Sequence, residues 1–94
     1  MNAKQIISEL NARGAKFFVN TNIMYGKGIN GVGFYSYSQS EEFESGTKVY
    51  RIFEPNDDCL VITENYEPRD KEPYSRRRYL GYDKITYITE IIED

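Results

Sequence analysis

The sequence predicts an α+β domain in which one amino-terminal helix packs on a mostly antiparallel sheet of five to six strands. Helical apolar spacing is confined to the first thirteen residues, and alternating β-branched and aromatic residues fill most of the remainder. Turn-forming clusters separate those runs. With no second helical stretch to act as a parallel crossover, neighbouring strands are expected to pair antiparallel. A chain of 94 residues is read as a single domain, 1–94, with one small core.

The helix is predicted over residues 3–13. Asn2 stands three residues before Gln5, the spacing of a capping pair, and Ala3, Ile6, Ile7 and Leu10 recur on one helical face. Gly14 supplies the left-handed residue that ends a helix. A first strand runs through Lys16, Phe17, Phe18 and Val19, and residues 26–31 form a turn around Asn30 and Gly31, a pair that tolerates positive φ. Residues 32–38 return antiparallel. Residues 38–46 read as an acidic connection, 47–53 as a third strand, 55–58 as a turn and 59–64 as a fourth strand. Residues 66–75 hold two of the three prolines and are expected to form a mobile loop. Residues 76–80 and 85–92 are then expected to close a last hairpin around 81–84. The helix is predicted to rest on Phe18, Val32, Phe34, Ile52, Leu60, Ile62 and Ile88, leaving the opposite sheet face open.

Composition narrows the chemistry. Twelve basic against fifteen acidic side chains give a charge of −3, and no apolar run approaches the roughly 18 residues of a membrane span. Residues 1–5 lack the basic head and apolar stretch of a secretory signal, and Cys59 is the single cysteine, so a cytoplasmic, reducing setting is expected. There is no histidine, which removes the commonest general base and, with one cysteine, the usual zinc ligand sets. A non-enzyme without metal or cofactor is expected. Cys59 sits in an apolar strand and reads as a buried, inert thiol.

Two glycine motifs are set aside on context. Gly26, Gly28 and Gly31 spell G-x-G-x-x-G, but a strand follows where a phosphate-binding loop needs a helix. Residues 30–37 match an RNA-binding consensus at Gly31, Gly33, Phe34 and Tyr37, yet Asn30 replaces its basic residue and Val32 an aromatic one. That stretch is read as a sheet strand. Asn56, Asp57 and Asp58 lack the alternating ligands of a calcium loop and read as a turn.

What remains is recognition by contact. Nine residues are tyrosine, and alternation places Tyr35 and Tyr37 on one face opposite Phe34, with Tyr50 opposite Val49 and Arg51. Tyrosine offers a large contact area with a polar tip and few rotamers to freeze. Arg76, Arg77, Arg78 and Tyr79 follow the proline-bearing loop, and residues 69–84 carry six basic against three acidic side chains, a net +3 against −6 for the rest. Tyr35, Tyr37, Tyr50, Arg76, Arg77, Arg78 and Tyr79 are therefore the candidate partner-binding residues. The expectation is a non-catalytic protein-binding module, of the kind phage and mobile elements use as small inhibitors of host enzymes. The alternative is a single-stranded nucleic-acid binder in which Arg76–Arg78 grip phosphates and Tyr74, Tyr79 and Tyr82 stack on bases.

Overall fold

The computed structural model describes residues 1–28 and 31–93, with side chains described outside 24–33. Of the turn predicted over 26–31, residues 26–28 and 31 belong to strands instead, and residues 29 and 30 lie outside the described residues. Helix α1 (Ala3–Ala12) starts as its sequence requires: Asn2 Oδ1 accepts from the Gln5 amide and Gln5 Oε1 accepts from the Asn2 amide, both at 2.9 Å. It stops at Gly14, whose φ of 65° is the left-handed conformation a side chain would oppose.

Seven strands follow among the described residues: β1 (Lys16–Gly28), β2 (Gly31–Ser38), β3 (Ser40–Glu42), β4 (Lys48–Pro55), β5 (Cys59–Glu67), β6 (Tyr74–Gly81) and β7 (Ile85–Ile91). They form two antiparallel sheets, ordered β2-β1-β7 and β3-β4-β5-β6, so the α+β class holds while the single sheet of five to six strands is corrected. Gln39 makes the first crossing between sheets. Its side-chain amide donates to the Ala15 carbonyl and its Oε1 accepts from the Phe17 amide, while its own carbonyl accepts from the Arg51 amide at 2.7 Å. One residue thus bonds to the start of β1 and to β4, and the acidic connection beyond it contributes β3. The second crossing is a 3-10 turn, Tyr82–Lys84. It carries β7 away from β6 to pair with β1, Val19 opposite Ile88, so the expected last hairpin does not form.

The core lies between the sheets and is closed by the helix. Ile7 and Leu10 meet Phe17 and Val19 of β1 and Phe53, Leu60, Ile62 and Leu80 of the other sheet, with the Phe17 and Phe53 rings 5.2 Å apart. Leu60 and Ile62 fall inside as expected, and Ile88 packs against the core half-buried. Phe34 and Ile52 do not: they are 60% and 55% exposed, and Phe18 lies on the outer side of β1 beside buried Phe17 and Val19. Both parities of β1 and β4 carry an apolar residue, so alternation alone leaves the inner face open. Phe17 shares its face with Val19, and Phe53 with Val49, and those fuller faces are the ones buried. The side chain of Val32 is outside those described. Residues 68–73 are the connection left between β5 and β6, shorter than the loop expected over 66–75.

Burial on this scale sets unequal costs for two aromatic and aliphatic truncations. Phe17→Ala is expected to destabilise by about 3–5 kcal/mol, and Ile52→Ala by under about 1 kcal/mol. Urea unfolding measures both, and equal losses would contradict the assigned inner face.

Candidate functional site

Strand pairing aligns Arg51, Glu64 and Arg76 in one row across β4, β5 and β6, and the next row in contains Phe53, Ile62 and Arg78. All six side chains lie on the inner face. The far end of the interior from the helix is therefore charged. Neither the Arg51 nor the Glu64 side chain has exposed surface, and their Nε–Oε2 contact is 2.6 Å. The other oxygen, Oε1, accepts from Arg76 Nε at 2.9 Å and from Arg78 Nε at 2.7 Å. Arg51 spends its remaining reach on the Ser38 carbonyl, the Glu41 carboxylate and the Tyr35 hydroxyl, at 3.2, 3.0 and 3.0 Å. Tyr66 accepts a further bond from Arg76 at 2.7 Å. Among the described residues no buried side-chain nitrogen or oxygen is left without a partner.

The tyrosines belong to this cluster. Tyr37 is buried and Tyr35 half-buried, with the Arg51 guanidinium 5.5 and 5.9 Å from their ring centres and Arg78 at 6.0 and 5.9 Å. The expected alternation of β2 holds, but its direction is reversed: the phenols face inward and Phe34 faces water. A phenol ring accepts a guanidinium over its face and a hydrogen bond at its tip, and phenylalanine lacks the tip.

Burial alone would raise the Glu64 carboxyl, but hydrogen bonds from Arg51, Arg76 and Arg78 overcome that cost and hold it down at about 2. Burial opposes the charge of Arg78 as well, and the bond to Glu64 prevails, so its guanidinium is held more firmly protonated than usual. Burial raises the Tyr35 phenol, against the pull of Arg51. Glu64 is thus a carboxylate fixed in its charged form and enclosed by cations, which makes it a poor proton acceptor at neutral pH.

The seven candidate residues consequently divide. Tyr35, Tyr37, Arg76 and Arg78 form the interior cluster. Tyr50, Arg77 and Tyr79 lie on the outer face of the four-stranded sheet, where Tyr50, Asn65 and Ser75 form one row across β4, β5 and β6, Ile52, Thr63 and Arg77 another, and Glu54, Val61 and Tyr79 a third. Tyr79 is 68% exposed and Tyr50 45%, and with the exposed Ile52 they trace an apolar diagonal across the sheet, on which Val61 is buried. The rings expected to stack on bases are partly committed elsewhere, since Tyr74 stacks on Tyr66 at 4.8 Å and the Tyr82 hydroxyl donates to the Asn56 carbonyl. Cys59 is a free, half-buried thiol, more open than expected.

Arg51, Glu64 and Ile52 are the residues the sequence reading missed. A signal for the first two is present: Arg51 shares its parity with Val49 and Phe53, and Glu64 shares its own with Leu60, Ile62 and Tyr66. Opposite charges on the apolar faces of adjacent strands require each other, because neither is tolerable there alone.

The depressed carboxyl makes stability depend on acid. Its contribution, on the order of 3 kcal/mol, is fully present above the unfolded-state value near 4.5 and is lost as pH falls towards about 2. Glu64→Gln, which leaves three arginines without their anion, is expected to cost about 3–5 kcal/mol at neutral pH and to flatten that acid dependence in urea unfolding. Comparison with protein-family models, curated proteins and solved structures finds no match, so the chain's own geometry carries the functional argument.

Proposed function

We propose that this chain is a non-catalytic protein-binding module, of the small inhibitor or adaptor type, that engages its partner with the outer face of the four-stranded sheet. The observation that carries the reading is the exposed diagonal of Tyr50, Ile52 and Tyr79, with Arg77 beside it. Tyrosine and arginine are the residues that dominate binding energy at protein interfaces, and an exposed isoleucine between two tyrosines gains by being covered. A sheet whose inner face is fixed by ion pairs presents those rings on a rigid frame, which lowers the ordering cost of association.

Nucleic acid is the weaker partner class. Glu64 turns Arg76 and Arg78 to the inner face, so of the three consecutive arginines it is Arg77 that stands on the outer face with the exposed Tyr79. Catalysis is disfavoured by the state of Glu64, a buried carboxylate already bonded to three guanidinium groups. No helix among the described residues is long and apolar enough to cross a membrane.

A photo-cross-linking amino acid placed at position 77 is expected to yield a discrete heteromeric adduct in cells expressing the chain, and the same group at Glu9 on the helix none. Adding Tyr50→Ser, Ile52→Ser and Tyr79→Ser should abolish that adduct while the variant stays folded by circular dichroism. An adduct that survives the three substitutions, or none at position 77, contradicts this reading.

A further inference from the structure

Strand β6 is the outermost strand of its sheet. Among the described residues β5 is its only neighbour, and the eight pairs from Cys59–Gly81 to Tyr66–Tyr74 run without a register shift. The opposite edge of that sheet, β3, is three residues long. Natural edges are usually blunted by proline, a bulge, shortness or charged side chains, and β6 relies on the last alone, with Arg76 and Arg78 turned inward. It leaves a straight row of backbone donors and acceptors beside the open side of the interior.

Charge determines what that row accepts. Arg76 and Arg78 point inward at the edge with side chains 48% and 38% exposed, and Arg77 points outward between them. The interior cluster of Arg51, Arg76 and Arg78 against Glu64 and Glu41 carries an excess of one positive charge. Glu64 and Tyr66 use two of the five N–H donors of Arg76, so three remain for an incoming acceptor. A strand laid against β6 would bring alternate side chains to within about 4.5–5.5 Å, Cβ to Cβ, of Arg76 and Arg78. The same arginines oppose a second copy of the chain, because antiparallel pairing of two β6 strands about Arg77 sets Arg76 against Arg78.

From this we infer that the β6 edge takes up an extended acidic segment of the partner as an added strand, with carboxylates at every second residue facing Arg76 and Arg78. The inference rests on the protein-binding reading above and gives the chemistry of the partner. Main-chain bonds would supply affinity and the alternating carboxylates would supply selectivity and register.

The test uses the full chain and a blocked octapeptide of alternating glutamate and threonine, followed by amide NMR. Saturable binding is expected, with exchange protection gained at alternate amides of residues 74–81 and affinity falling as salt is raised. The peptide with lysine in place of glutamate should not bind. N-methylation of one alternate set of its residues should weaken binding at least about tenfold, and of the other set hardly at all, because one edge of the added strand faces β6. Absence of binding, equal binding by both methylated peptides, or a dimer of the chain paired through β6 would overturn the inference. Tyr50→Ser with Ile52→Ser alters a strand two removed from the edge and should leave peptide affinity unchanged, so failure at the edge is separable from failure of the outer face.

Discussion

A carboxylate with no exposed surface, bonded to guanidinium groups from three different positions, fixes β4, β5 and β6 against one another more sharply than apolar packing does. Leucine and isoleucine tolerate a slip of an ångström at modest cost, whereas Glu64 loses a charged hydrogen bond and gains an unpaired buried cation if any of the three strands shifts. A one-residue slip of β5 would turn Glu64 to water and leave Arg51 alone inside. The cluster therefore defines register for half of the molecule, although replacing such groups by well-packed apolar ones elsewhere is often neutral for stability.

That register decides what the surface displays. Once Arg51 and Glu64 are inside, alternation sends Tyr50, Ile52, Arg77 and Tyr79 outside, and the guanidinium groups draw Tyr35 and Tyr37 inward through contact with their rings. The interior is divided accordingly, with Ile7, Leu10, Phe17, Phe53 and Leu60 towards the helix and the ion pairs at the other end. One sequence segment serves both interior and surface: of the consecutive arginines, two hold the sheet together and the middle one faces outward.

Elements governed by local chemistry were legible in the sequence. The Asn2–Gln5 cap, Gly14, the turn between β4 and β5 and the outward position of Tyr50 all follow from nearest neighbours. The division into two sheets was not, because it depends on Gln39 bonding to β1 and β4 at once, and nothing adjacent to residue 39 marks it. The inward turn of Tyr35 was equally hidden. Its partner Arg51 is sixteen residues away and on the other sheet. Arg76 and Arg78 looked free for the same reason, since the anion that claims them lies on β5. The candidate site was half visible: the sequence singled out the candidate residues, and tertiary contacts decided which of them lie on the surface.

The register of β4, β5 and β6 depends on Glu64 being ionised and enclosed by its three arginines. Carbon-detected NMR titration of the chain with labelled glutamate side chains reads that state directly. A Glu64 carboxyl that stays ionised down to a midpoint of about 2, far below its ordinary value, is the predicted result. A midpoint near 4, shared with the surface glutamates, would mean that the ion pairs do not hold this carboxylate and that the register built on them has another cause.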